Sequence, residues 1–100
     1  MQAKIIEAIR AKRLIEVVYE GDRRVAEPHV LGERGSQKSV QLRVFQLRND
    51  AAPWVRPGWR FYLLAKLKGV RVLQETFPGR RPTGSYQHAL WSWIIEMVAP

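Results

Sequence analysis

Cysteine is absent from this 100-residue chain, and histidine is limited to His29 and His88. The first absence excludes disulfides, thiolate metal sites and cysteine nucleophiles. It also points to a reducing, cytoplasmic setting, because small secreted domains usually need covalent staples. A zinc site would need both histidines and converging carboxylates, and their spacing suggests none. Acidic residues are few, nine in all. They are scattered, and Asp22 and Asp50 read as turn residues, so no general acid/base pair stands out. Ser36, Ser39, Ser85 and Ser92 lack a nucleophile-elbow context. The seven glycines form no phosphate-cradling loop between a strand and a helix. No apolar run approaches the ~20 residues of a membrane span. Residues 1–12 carry Lys4, Glu7, Arg10 and Lys12 within their apolar pattern, unlike a secretory leader. These gaps predict a non-enzymatic protein with no cofactor, no metal and no membrane partner.

What the chain has in excess is positive charge. Seventeen lysines and arginines give a formal net charge of +8, and twelve of the seventeen are arginine. Arginine keeps its charge and offers a flat fork that matches phosphate oxygens two at a time. Apolar residues reach 46%, enough for one hydrophobic core, and the length suits one domain.

Periodicity gives an order of elements. Residues 2–13 read as a helix with Ile5, Ile6 and Ile9 on one face. Residues 14–27 alternate as a hairpin about a Gly21-Asp22 turn, and Pro28 ends it or marks a sheet edge. Further strands are expected over 29–33, 38–48, 59–67 and 70–76, with a Lys68-Gly69 turn between the last two. Residues 78–84 form a basic loop. Ser85 is a candidate N-cap for a last helix over 85–98. The predicted class is α+β: a small, strongly bent antiparallel sheet or partly open barrel of about five strands, flanked by an N-terminal and a C-terminal helix.

Two surfaces follow from this reading. If the sheet is strongly bent, Arg43, Arg60, Lys66, Arg71, Arg80 and Arg81 converge on one concave basic face, with Trp59 among them for base stacking. The predicted ligand is single-stranded DNA or RNA, or a nucleotide-like anion. On the last helix, Tyr86, Leu90, Trp93, Ile94 and Met97 form one apolar stripe, and Trp91, Ile95 and Val98 a second. An apolar arc this broad exceeds one packing face, so the second stripe is expected at a homodimer interface. The alternative function is accordingly a protein-interaction or dimerisation module.

The residues also carry a resemblance. Ala8-Ile9 precedes the hairpin and Tyr19 ends its first strand. Arg24-Val25 and Glu27-Pro28 follow, then Gly32, the strand Leu42-Arg43-Val44-Phe45-Gln46, the segment Pro57-Gly58-Trp59-Arg60, and Tyr62, Leu64, Lys66 and Leu67. Phe77, Arg81 and Tyr86 close the pattern. In order and spacing the chain resembles the WYL domain, particularly its short stand-alone bacterial forms, from Ile5 to Tyr86. It departs at the naming tripeptide, which falls at Val40-Gln41-Leu42 and keeps only the leucine, and at Leu63, where the family often has a basic residue. The resemblance implies an SH3-like or Sm-like β-barrel, a regulatory or ligand-sensing role, and binding of nucleic acid or a nucleotide-like ligand. The departures imply an altered family pocket or a different ligand.

Overall fold

The structure is a computed structural model that describes residues 1–36 and 38–100. It is α+β: one N-terminal helix, α1 (Gln2–Ala11), on a six-stranded antiparallel sheet. No helix among the described residues is long and apolar enough to cross a membrane.

α1 has no side-chain N-cap and no acidic residue in its first turn, so packing holds it: Ile5, Ala8 and Ile9 are buried. It stops at Lys12, which turns left-handed (φ 53°) and returns its N–H to the carbonyls of Ala8 and Ile9. The chain leaves directly into β1 (Arg13–Tyr19), whose apolar residues Ile15, Val17 and Tyr19 face the core. β1 joins β2 (Asp22–Arg34) through Glu20 and Gly21, both at positive φ, and Tyr19 pairs with Asp22. This is the two-residue turn whose twist suits a hairpin; it lies one residue before the Gly21-Asp22 position the sequence suggests.

β2 does not end at Pro28. It runs unbroken for 13 residues and organises the sheet. β3 (Ser39–Asn49) lies along its whole length. On its other side residues 22–26 pair with β1, and residues 30–33 pair with β6 (Trp93–Met97). Pro28 stands where the first partner has left and the second has not begun, so its missing N–H costs no ladder bond on that side. The register with β3 also slips between Pro28 and Val30, leaving His29 as the extra residue of a bulge.

β4 (Gly58–Leu63) follows β3, a 3₁₀ turn (Leu64–Lys66) follows β4, and β5 (Leu67–Thr76) returns to pair with β1. The strand order is β4-β3-β2-β1-β5, with β6 on β2, and the sheet does not close between β4 and β5. The expected Lys68-Gly69 turn lies inside β5. Val17 pairs with Val70 and Val18 with Lys68, so Gly69 (φ 67°) is a bulge residue for which glycine is suited.

The C-terminal helix predicted over 85–98 does not exist. That segment holds one 3₁₀ turn (His88–Leu90) and β6. Ser85 is a left-handed residue (φ 63°), not a cap. The broad apolar arc has a simple cause: a short run rich in isoleucine and tryptophan completes a sheet, and such a run mimics helical spacing. Gly32 makes the insertion possible. A Cβ there would lie 2.8 Å from Trp91 Cε3 and closer still to the carbonyl oxygen of Trp93.

Candidate nucleic-acid interface

Alternation along β3 sends Leu42, Val44 and Gln46 inward, where all three are buried, and Gln41, Arg43 and Phe45 to the other face. The register sets Phe61 opposite Arg43 and Trp59 opposite Phe45. The result is an alternating stack of rings and guanidinium groups. Arg34 Cζ lies 3.7 Å from the Phe61 centroid and 5.6 Å from that of Trp91. Arg43 Cζ lies 4.3 Å from Phe61 and 4.7 Å from Trp59. Trp59 meets Phe45 edge to face at 5.4 Å, and Arg81 Cζ lies 3.9 Å from Phe45. Each such contact is worth roughly 0.5–2 kcal/mol, depending on how well it is shielded from water. More important, each fixes a guanidinium fork in place.

The cations of this stack differ in their partners. Arg81 forks onto the buried Glu27 carboxylate at 2.7 and 2.8 Å. Arg34 and Arg43 make no ion pair among the described residues. Arg34 Nη1 only approaches Gln41 Oε1 at 3.5 Å. Arg43 Nη2 donates to the backbone carbonyl of Thr83 at 3.2 Å, and its Nε is buried without a partner. Burial, with the nearby positive charge of Arg34, lowers the affinity of Arg43 for its proton below the ordinary arginine range.

Behind the stack lies a saturated buried network. His29 Nε2 is 3.0 Å from Glu27 Oε1, and His29 Nδ1 is 2.9 Å from the Tyr86 hydroxyl. That hydroxyl accepts the Arg81 amide N–H at 2.9 Å, so its own hydrogen is free for His29 Nδ1. One tautomer then fits throughout: Tyr86 O–H donates to Nδ1, and Nε2–H donates to Glu27. Burial alone would push the Glu27 carboxyl up, but hydrogen bonds from Arg81 and His29 and the charge of Arg81 hold it below its usual range. Burial raises the Tyr86 phenol, against the opposing Arg81 amide bond and the Arg80 charge. A tyrosine, a histidine and a carboxylate in line resemble a nucleophile with its base. Here the phenol is raised, and a Cβ at Gly84 would meet the Tyr86 hydroxyl itself, so the oxygen is enclosed. No group of three or more potential metal ligands occurs among the described residues.

Of the residues expected to converge, the structure gathers Arg43, Trp59 and Arg81. Arg80 adjoins them, its Cζ 4.9 Å from the Tyr86 ring and its Nε on the Val98 carbonyl at 2.9 Å. The other three lie elsewhere. Arg60 projects from the opposite face of β4 and bonds the Trp59 carbonyl at 2.8 Å. Lys66 pairs with Glu20 at 3.8 Å, and Arg71 with Glu16 at 3.2 Å. The residues assigned to a dimer contact are used within the chain. Trp91 is buried and donates Nε1–H to the Ser85 carbonyl at 2.8 Å, Val98 is fully buried, and Ile95 packs on the core. Arg34 and Phe61 were missed. Period-2 counting from Gly32 and from Trp59 would have placed both on the Arg43 face.

A scan against protein-family models finds no match, and searches of curated proteins and of solved structures find none either.

Proposed function

We propose that this domain is a non-catalytic, ligand-sensing module that binds single-stranded nucleic acid, or a nucleotide-like anion, through the face of Arg34, Phe61, Arg43 and Trp59. The observation that carries this reading is the pair Arg34 and Arg43. Both guanidinium groups stack on one phenylalanine, and neither has a carboxylate among the described residues. Two like charges held this close repel, and an incoming phosphate relieves that repulsion. The rings hold the forks in advance, so little side-chain entropy is lost on binding. Trp59 serves in this reading as a shelf for Arg43 rather than as a base-stacking platform. Its ring flanks Arg43, and its indole N–H is on the Pro82 carbonyl at 3.2 Å.

The same reading takes the bent sheet as SH3-like or Sm-like. Support comes from the meander order β4-β3-β2-β1-β5 and the 3₁₀ turn between β4 and β5. It fits the WYL resemblance, with Arg43 and Trp59 lying in two of the segments that carry it. The enclosed Tyr86 hydroxyl supports a role without catalysis.

The test is fluorescence anisotropy with a labelled single strand of about twelve nucleotides, as DNA and as RNA. Titrations run at about 50 and 200 mM salt, with a mononucleotide as competitor. Salt-steep binding is expected, and the competitor tells a chain-length requirement from a single-nucleotide site. Flat titrations at the lower salt would reject the proposal.

A further inference from the structure

The basic face is not empty. Residues 82–85 cross it, and their backbone occupies its donors. The Pro82 carbonyl oxygen accepts the Trp59 indole N–H at 3.2 Å. The next carbonyl, of Thr83, accepts Arg43 Nη2–H at 3.2 Å. Two consecutive backbone oxygens thus sit on a neutral and a charged donor that stand side by side on neighbouring strands. A phosphate presents oxygens in the same way and with more negative charge, so it forms the stronger bonds to the same pair.

The crossing segment is clamped at both ends and strained in the middle. Upstream, Arg81 is fixed by the Glu27 carboxylate. Downstream, Tyr86 is fixed by His29 Nδ1 and by the Arg81 amide. Between them, Thr83 and Ser85 both adopt left-handed backbone (φ 63° each), which β-carbon sterics disfavour. Thr83 is β-branched, which makes it an outlier in that region. Gly84 lies against the Tyr86 ring so closely that a Cβ would meet Cε2 at 2.5 Å. Such a turn persists only while the bonds around it hold it, and three of these are donors from the stack itself: Trp59, Arg43 and Trp91, the last onto Ser85.

We infer that residues 82–85 are a built-in gate: their carbonyls hold the Trp59 and Arg43 donors, and a ligand phosphate takes the places of the Pro82 and Thr83 oxygens. This rests on the function proposed above and adds its regulation. The clamped ends let the turn flip its peptide units locally, without unfolding the loop. Apparent affinity is then scaled by the fraction of molecules in which the gate stands open.

Two substitutions push that fraction in opposite directions. Thr83→Gly relieves the left-handed backbone, favours the closed gate, and should weaken binding of the labelled single strand by about threefold to fivefold. Gly84→Ala places a Cβ on the Tyr86 ring, opens the gate, and should tighten binding by about threefold to tenfold. A third measurement does not depend on either variant folding. The nuclear Overhauser contact between the Trp59 indole proton and Thr83 should be present in the free protein and lost at saturating oligonucleotide. A contact that persists at saturation overturns the gate, as do wild-type affinities in both folded variants. If the strand then still needs Arg34 and Arg43, the binding function stands without its gate. If the wild type does not bind at low salt, the binding function fails, and the gate with it.

Discussion

Two regions of the same sheet carry arginines and treat them in opposite ways. In one, Arg34 and Arg43 lie on aromatic rings and meet no carboxylate among the described residues. In the other, Arg48 and Arg71 reach into solvent from β3 and β5, and each has an acid: Asp50 at 3.1 Å and Glu16 at 3.2 Å. No ring among the described residues lies beneath them, and their side chains are 60% and 69% exposed. Net charge does not distinguish these regions. An exposed cation with its own carboxylate must exchange that partner for a phosphate and then be ordered, so the exchange gains little. A stacked cation with no carboxylate of its own has met the ordering cost in folding and gives up at most a neutral acceptor. Sites should be sought where charge is held, not where it is dense.

The sharpest way to break this contrast is to remove the arginines two at a time. Arg34→Ala with Arg43→Ala should weaken binding of the single strand by about a hundredfold or more, since bonds to charged groups are worth ~1.5–3 kcal/mol each. The slope of log affinity against log salt should flatten by about 1.4 to 1.8, the loss of two phosphate contacts. Arg48→Ala with Arg71→Ala removes the same charge and should cost about threefold or less. Equal losses from the two pairs would show that binding follows charge alone, and the contrast would collapse.

The next effect concerns the network behind the stacked face. Glu27→Gln leaves Arg81 and His29 facing an amide in place of a carboxylate. Breaking a fully buried pair costs ~3–5 kcal/mol. Arg81 is 40% exposed, so solvent screens part of the loss and about 2 kcal/mol is expected. The acid limb gives the sign. The folded-state pKa of Glu27 lies below the ordinary carboxylate value of 4.5. Its stabilisation is therefore present above that value and is lost as pH falls through the folded one. In thermal melts, the gap between wild type and Glu27→Gln should be full at neutral pH and shrink below about pH 4. A gap constant from pH 7 to pH 3 would mean the carboxylate does not hold this network.

How much of this could be read from the sequence divides along the range of the interactions. Local signals succeeded: the isoleucine stripe of α1, the β1–β2 hairpin, and the alternation of Leu42, Arg43 and Val44 that put Arg43 opposite the core. Signals that depend on strand pairing failed. That Lys66 meets Glu20 and Arg71 meets Glu16 follows from how the strands and the β4–β5 turn are arranged, and residue spacing carries none of that. Arg34 gains its place because β6 brings Trp91 against Gly32, a contact between residues 59 positions apart. β6 was misread as helix for the same reason: only its partner, the second half of β2, makes the run a strand. The bent-sheet reading of the basic residues led to Arg43, Trp59 and Arg81, but not to the pairing that gives Arg81 a carboxylate and leaves Arg43 with none among the described residues.

The interior offers a milder contrast, between Tyr62 and the exposed stack. Tyr62 is 1% exposed, donates its hydroxyl to Gln46 Oε1 at 2.5 Å, and stacks on Tyr19 with centroids 4.4 Å apart. Burial pushes its phenol from 10.0 up to about 12, against the opposing charge of Arg24. A raised folded value means the stabilisation is complete below pH 10 and is lost as pH climbs through the folded value. That window should cost the wild type about 2 kcal/mol. Tyr62→Phe cannot ionise, so its alkaline decline should be shallower by that amount in denaturant titrations at pH 9 to 12. Parallel declines would remove Tyr62 as the cause.

The smallest effect belongs to the solvated pair Arg71 and Glu16, and its smallness is the point. The side chain of Arg71 is 69% exposed against 19% for Glu16, and the two meet through one nitrogen at 3.2 Å, not a two-pronged fork. Ordering both side chains costs entropy close to what their screened attraction returns. Arg71→Ala should therefore change unfolding free energy by about 0.5 kcal/mol or less, and salt should shrink even that. The informative partner is Glu16→Gln, which frees Arg71 without deleting it. If freedom from acid were all that makes an arginine useful to a ligand, Glu16→Gln would raise single-strand affinity appreciably. The stacked face argues otherwise: a freed but unsupported guanidinium still has to be ordered. Affinity should rise by less than about twofold, and a larger gain would show that the absence of a carboxylate, rather than the aromatic shelf, is what makes Arg34 and Arg43 fit to bind.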